Sequence, residues 1–302
     1  QIKIQPSRSF IQQSEGLNMK IAITGATGQL GQLVLQFLLK ETAVENIIAL
    51  VRSPEKAASL QAQGIELRHF DYDQPDTLVP ALQGVDKLLL ISANEIGRRT
   101  PQHKAVIDAA AEAKVPYIAY TSLLRADTSP LGLSQEHRET ESLIQASGLT
   151  YTFLRNNWYV ENYLAAAGHV VETGTLFGAA KDGKINAASR ADYAEAAAKV
   201  LTSSGHENKT YELASSDSFT LAQLAQTIQQ VSGQNVHYQN LTAEDYTQGL
   251  LQAGLPAGLV DVIVDADINS IDGAMQSDRK DLEQLLGHPT TSLHSAVEAA
   301  LK

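Results

Sequence analysis

The sequence predicts an α/β fold, a Rossmann-type doubly wound parallel sheet with a smaller mixed α/β C-terminal lobe. Three observations predict it. Short, almost wholly apolar runs recur along the chain, stretches of helical period separate them, and a glycine-punctuated turn joins the first run to the first helix.

Lys20–Thr24 is the first apolar run, and the turn Gly25–Gly31 follows it at once. Leu30, Leu33, Val34, Phe37 and Leu38 then mark one face of a helix. The second strand, Ile47–Val51, ends at Arg52-Ser53-Pro54, where Pro54 suits the first turn of a helix. Further strands are expected at Ile65–Phe70, Lys87–Ser92, Tyr117–Thr121 and Tyr151–Leu154, and helices near Glu55–Gln63, Pro75–Leu82, Pro101–Ala113 and Ser134–Ser147. Strands this apolar suit a parallel sheet covered by helices on both faces. After residue 155 the alternation loosens. Ala191–Leu201 reads as helix, Tyr211–Ala214 as strand and Ser292–Leu301 as a short helix. Thr220-x-x-Gln223 is a capping box opening a helix with Leu221, Leu224, Ala225 and Ile228 on one face. The expected organisation is an extension over residues 1–18, either non-native or a flexible arm, a dinucleotide-binding domain over 19–155 and a substrate-binding lobe over 156–302. Some strands of that lobe are expected to return to the main sheet.

Composition narrows the functions. With 43% hydrophobic and 19% charged residues, the chain of 302 is globular rather than disordered. A net charge of −11 argues against nucleic acid as a partner. No apolar run reaches the ~18–20 residues of a membrane span. The absence of cysteine removes disulfides, thiolate metal sites and cysteine nucleophiles. Residues 1–18 lack the apolar centre of a secretory signal, so the expected location is cytoplasmic. Asp265-x-Asp267-x-Asn269 resembles the start of a calcium loop, but Ser270 and Gln276 stand where Gly and Glu are required, and no metal is expected. Without a G-x-S-x-G elbow, hydrolysis by Ser122 and His137 is set aside.

The turn Gly25-Ala26-Thr27-Gly28-Gln29-Leu30-Gly31 carries the first chemistry. Glycines after a strand and ahead of a helix let backbone N–H groups approach an anion, and the helix dipole favours a pyrophosphate there. Arg52 lies 21 residues beyond Gly31, where NAD-binding proteins place a carboxylate on the ribose diol. Arg52, Ser53 and Lys56 occupy that stretch instead, and a guanidinium pairs bidentately with a 2′-phosphate, which favours NADPH over NADH. Asp71 and Tyr72 follow the third strand. There Asp71 either meets the adenine amino group or shapes a turn.

Four segments together, TGATGQLG, VRSPEKA, AYTSLLRADTSPLGL with the following HRETE, and TFLRNNWYVENYL, resemble the NmrA-like atypical short-chain dehydrogenases. The SLL-x-ADTSPLGL and LRN-x-WY-x-ENYL segments narrow the resemblance to the type 2 NAD(P)H:quinone oxidoreductase branch, to which triphenylmethane reductase is close. The resemblance runs from about Met19 to the C-terminus, and it implies NADPH-dependent two-electron reduction of a quinone by direct hydride transfer, with no flavin. It places Gly25, Thr27, Gly28, Gln29, Leu30 and Gly31 on the phosphates, Arg52 on the 2′-phosphate, and Ser92, Ala93 and Asn94 along the cofactor ribose. Thr121 and Ser122 fall near the nicotinamide, and Asn156, Asn157, Trp158 and Tyr159 on the nicotinamide and substrate side.

One departure from the wider superfamily is plain. Its Tyr-x-x-x-Lys pair is replaced by His137-Arg138-Glu139-Thr140-Glu141, so alcohol–ketone chemistry by the usual route is in doubt. Quinone reduction tolerates the loss, because the hydroquinone anion is far more stable than an alkoxide and positioning supplies most of the effect. His137 either donates to the developing oxyanion or fixes the loop and helix start. Trp158 and Tyr159 form either an aromatic platform or core. Two other readings stay open: an NADP(H)-sensing regulator without turnover, and an NADPH reductase of a dye, an enone or a carbonyl compound.

Overall fold

The computed structural model describes residues 18–302, so the expected extension lies outside the described residues apart from Asn18. Nine strands are present among them: β1 (Ile21–Ile23), β2 (Ile47–Val51), β3 (Glu66–His69), β4 (Lys87–Leu90), β5 (Tyr117–Leu123), β6 (Thr150–Asn156), β7 (Thr175–Gly178), β8 (Lys209–Leu213) and β9 (His237–Asn240). The helices are α1 (Gln29–Glu41), α2 (Ala58–Ala62), α3 (Leu78–Ala81), α4 (Arg99–Glu112), α5 (Ser134–Ala146), α6 (Val160–Leu164), α7 (Ala167–Thr173), α8 (Arg190–Thr202), α9 (Leu221–Ser232), α10 (Ala243–Gln252), α11 (Ala257–Ser270), α12 (Asp281–Leu286) and α13 (Leu293–Ala300). No helix of the described residues is long and apolar enough to cross a membrane.

Seven strands form one sheet in the order β3-β2-β1-β4-β5-β6-β8, the alternating architecture expected from the apolar runs. Registers Ile21↔Ile47, Ile21↔Lys87, Ile48↔Glu66 and Lys87↔Tyr117 are parallel. The order reverses between β1 and β4, which makes their C-terminal ends the place where such sheets bind ligands. β8 joins the sheet edge, and β7 pairs with β9 in a separate parallel ribbon.

The chain resolves into two compact units that interleave in sequence. The first runs to Ser122 and adds Glu139–Leu154 and Ala194–Thr210. The second is assembled from Leu123–Arg138, Arg155–Tyr193 and Tyr211–Lys302. In the first unit, Ile48, Leu50, Leu88, Leu90, Ile118 and Tyr120 are buried on strands and pack with Val106 and Ile107 of α4. Each such side chain contributes about 1.5–3 kcal/mol through burial. In the second unit Leu164, Leu176, Phe219, Leu224, Ile228 and Val297 form the core. The capping box is present there: Thr220 accepts from Gln223 N–H at 3.2 Å, and Gln223 accepts from Thr220 N–H at 2.9 Å.

Local chemistry explains the differences from expectation. The helix expected near Glu55–Gln63 begins as a 3-10 turn, Pro54–Ala57, and only α2 is α-helical. Pro75–Thr77 likewise precedes the four-residue α3, in which Pro80 has no N–H to bond the carbonyl four residues earlier and so keeps the α-helix from starting further upstream. β9, with largely exposed His237, Gln239 and Asn240, carries no apolar alternation and was not expected. Asp265, Asp267 and Asn269 lie inside α11: Asp265 accepts from Asn269 Nδ2 and Gly132 N–H, and Asp267 from Ala179 N–H.

The chain leaving β4 is pinned by side chains. The N–H of Ile91 donates to Thr24 Oγ1 (2.9 Å), that of Ser92 to Thr121 Oγ1 (2.8 Å), and that of Ala93 to His103 Nε2 (2.9 Å). Arg99 Nε donates to the Ala93 carbonyl at 2.5 Å. Because Nε2 of His103 accepts, its proton sits on Nδ1, which donates to Thr140 Oγ1 at 2.9 Å. His103 is fully buried edge-on to Tyr120, and burial, with nearby Arg99, lowers its pKa to about 3. The sign of the resulting pH dependence follows. Above pH 6.5 both folded and unfolded states hold this imidazole neutral. Between pH 6.5 and about 3 the unfolded chain takes up a proton that the folded chain refuses, so stability falls with pH. The expected contribution over that window is at most on the order of 4 kcal/mol. Denaturant midpoints measured from pH 7 to 4 should fall less steeply for His103→Gln than for the wild type, and parallel slopes would remove His103 from the acid response.

Candidate functional site

The turn after β1 is built on close backbone approach. Gly25 has φ +59°, which favours glycine, and its carbonyl accepts from Gly28 N–H at 3.0 Å. A Cβ on Gly31 would lie 2.0 Å from that same carbonyl oxygen, so only glycine lets α1 start against the turn. Gly28 caps α1 without a side-chain bond, and the first turn of α1 holds no acidic residue. Gln32 N–H is bonded to the Gly28 carbonyl, which leaves the N–H groups of Gln29, Leu30 and Gly31 ahead of it to present positive potential. Gly25, Thr27, Gly28 and Gln29 are exposed, whereas the Leu30 side chain is in the core and offers only its backbone.

Arg52 follows β2, beside β1 in the sheet, and is exposed. It has no ion pair or hydrogen bond among the described residues, so its guanidinium is uncommitted there. Lys56 is exposed on the 3-10 turn. Asp71 is buried, and both carboxylate oxygens serve its local turn: Oδ1 accepts from Asp73 N–H at 3.0 Å and Oδ2 from Gln74 Nε2 at 3.1 Å. The turn-shaping role is therefore present. Tyr72 meets Phe70 edge-on and hydrogen-bonds Thr24, and burial raises its phenol pKa.

Ser92 and Ala93 belong to the pinned segment after β4, and Asn94 beyond them is exposed. Thr121 and Ser122, consecutive on β5, are both buried and serve different neighbours. The Thr121 hydroxyl accepts from Ser92, while Ser122 Oγ donates to Glu141 Oε2 at 2.5 Å. Glu141 takes the place of the lysine in the usual pair and is itself buried.

In the second unit, His137 is buried on α5. Asn156 and Asn157 end β6 and begin the segment beyond it, and both are buried. Asn157 holds the backbone: its Nδ2 donates to the carbonyls of Asn186 (3.1 Å) and Met275 (2.9 Å). Trp158 is partly buried and packs on two core clusters. Tyr159 lies 5.5 Å from the Tyr193 ring, with the Arg190 guanidinium 4.9 Å above its own. Both aromatics thus have core neighbours. A cavity of about 260 Å³ in this unit, lined by Ser189, Ser215, Ser218, Thr227, Thr291 and Ser292 among others, contains none of the candidate site residues read from sequence. Sequence reasoning missed His103. Its signal is a polar member of the buried stripe His103, Val106, Ile107, Ala110, where a histidine requires partners for both ring nitrogens.

A model of the NmrA-like family matches residues 18–295. The chain is 54% identical over 277 residues to Quinone oxidoreductase 2 of Escherichia coli K12, covering 92% of this chain and 97% of that relative. The crystal structure of the NADPH-dependent quinone oxidoreductase from Escherichia coli complexed with NADPH superposes with a TM-score of 0.91 at 53% identity, over 93% of this chain and 100% of that one. Triphenylmethane reductase of Citrobacter sp., solved with NADP(H), gives a TM-score of 0.90 at 40% identity, over 93% and 100% of the two chains. With a family match along nearly its whole described length and such relatives, the chain belongs to the NmrA-like family.

Proposed function

We propose that this chain is a cytoplasmic reductase that transfers a hydride from NADPH to a quinone without a flavin. The observation that carries the reading is the uncommitted Arg52 beside a glycine cradle, in a chain 54% identical to an Escherichia coli quinone oxidoreductase. The residues fit the cofactor. The turn fills with backbone where any Cβ at Gly31 would stand, the first N–H groups of α1 suit a pyrophosphate, and Arg52 and Lys56 suit a 2′-phosphate. Bound NADPH supplies a hydride from C4 of its dihydronicotinamide.

The other residues have roles in this reading. Asp71 and Tyr72 border the adenine side, and Ser92, Ala93 and Asn94 run along a ribose. Thr121 fixes Ser92, which sets where that loop presents itself. Ser122 directs its hydroxyl proton at Glu141 and so faces other groups as an acceptor. In this reading His137, buried on α5, lies on the side of the developing oxyanion, and Asn156, Asn157, Trp158 and Tyr159 belong to the substrate side. No member of the set is a strong acid, and a quinone needs none, because hydride addition yields a stabilised phenolate.

Steady-state oxidation of NADPH by simple quinones, with purified protein, no flavin and matched NADH reactions, tests the reading. Rapid turnover preferring NADPH is expected, whereas tight NADPH binding with no oxidation would make the protein an NADPH-sensing regulator. Arg52→Asp should raise the KM for NADPH about 10–100-fold and change that for NADH far less, as expected for loss of a charge-assisted bidentate pair. Equal effects on both cofactors would remove Arg52 from the 2′-phosphate. Gly31→Ala should weaken both cofactors together, because its Cβ displaces the turn itself. Unchanged binding of both by fluorescence titration would contradict the cradle.

A further inference from the structure

Four stretches of the second unit enclose the cavity of about 260 Å³, and no residue assigned above to cofactor or quinone lies among them. Its floor is apolar: Val160, Ala187 and Phe219 are buried there, and Leu293 and Ala296 are half-buried. Its walls are fixed by side-chain bonds. Asp192 accepts from the Thr291 N–H (2.7 Å) and Oγ1 (3.1 Å), while its own N–H donates to Ser189 Oγ at 3.1 Å. Thr290 Oγ1 lies 3.1 Å from Ser215 Oγ and accepts from Ser216 N–H at 3.2 Å. Phe219 exchanges both backbone bonds with Ile185, at 2.8 and 2.9 Å. The loop that carries Ser215–Phe219 and the approach to α13 are therefore held at a set spacing.

Beside these fixed groups stands a second set that is open. The Asp217 carboxylate, the Ser218 hydroxyl and the Gln226 amide line the cavity with no hydrogen bond or ion pair among the described residues. Gln223 Oε1 is taken by Thr220 N–H, which leaves its Nε2. The open set thus holds one group that only accepts, one that only donates, and two that do both. No lysine, arginine or histidine lines the cavity. This composition selects by chemistry. A phosphate would meet the Asp217 charge with no cation to offset it, which keeps NADPH out. A quinone only accepts, and would leave the carboxylate desolvated and unpaired. An ammonium group only donates, and would strand Gln223 Nε2. A hydroxyl does both, and a sugar or cyclic polyol combines several hydroxyls with a C–H face that suits an apolar floor. The volume lies just below the ~300 Å³ at which small-molecule sites usually begin, so the ligand that fits is small.

We propose that this cavity binds a neutral polyhydroxy compound of monosaccharide size. Asp217 accepts from its hydroxyls, Gln223 Nε2 and Gln226 donate to them, and its C–H face lies over the floor of Val160, Phe219 and Leu293. The site is independent of the quinone reading, and its failure leaves that reading untouched.

Saturation-transfer-difference NMR on the full-length protein tests it, titrating D-glucose, D-galactose, D-mannose, D-ribose and myo-inositol in turn. Methyl phosphate and methylammonium serve as counter-probes. Saturable binding of at least one polyol is expected, with a Kd on the order of 1 mM or tighter. D217A should weaken that polyol about 10-fold or more, and Q226A about 3–10-fold. Both substitutions are at exposed positions and should melt within about 2 °C of wild type. Q226A removes no charge and carries the test alone should D217A not fold. No saturable binding by any of the five polyols, binding unchanged in either folded variant, or a D217A-sensitive response to methyl phosphate or methylammonium would overturn the proposal.

Discussion

The approach of α1 to the turn after β1 is the constraint on which the nucleotide-binding unit depends. The Gly25 carbonyl accepts from Gly28 N–H and lies where a Cβ of residue 31 would stand. The helix can begin that close only because residue 31 has no side chain. That proximity puts the first free N–H groups of α1 over the end of β1, at the reversal of strand order between β1 and β4. Leu30, Val34, Leu35 and Leu38 then bury one face of the helix against the sheet, so the anion-facing geometry is held by apolar packing rather than by polar bonds.

The other side of the reversal is held differently. Past β4 the chain is no longer bonded as a strand, and its buried N–H groups need other acceptors. Thr24 from the end of β1, Thr121 from β5 and His103 from α4 supply one each to three consecutive residues. Each of the three donors is matched by a side chain on, or directly after, a regular element, so the segment is held in place without belonging to the sheet. The histidine suits this duty only while neutral, and its burial keeps it so.

Much of this was legible in the sequence because the strands are buried on both faces. Ile47–Val51 is apolar at every position and emerged with the expected bounds, while the helices were legible through their stripes. The glycine turn was legible because it depends on local chain geometry directly after the first strand. The ribbon of β7 and β9 was not: four residues each, and in β9 mostly exposed, they owe their conformation to pairing rather than to pattern. Side-chain pairing was equally hidden. LRNNWY shows two identical asparagines, and only the fold distinguishes the one whose side chain bonds Asn186 and Met275 from the one whose buried Oδ1 has no hydrogen-bond partner.

The Ser122–Glu141 pair shows how the site departs from its superfamily without losing the scaffold. A lysine at position 141 would act by its charge, lowering the pKa of a neighbouring phenol so that a strong acid can protonate an alkoxide. A carboxylate there reverses the sign, and, being buried, it needs a hydrogen-bond donor; Ser122 supplies one at 2.5 Å. That bond commits the serine proton to Glu141 rather than to a substrate oxygen. A buried hydroxyl–carboxylate pair therefore stands where the superfamily's lysine acts by its positive charge.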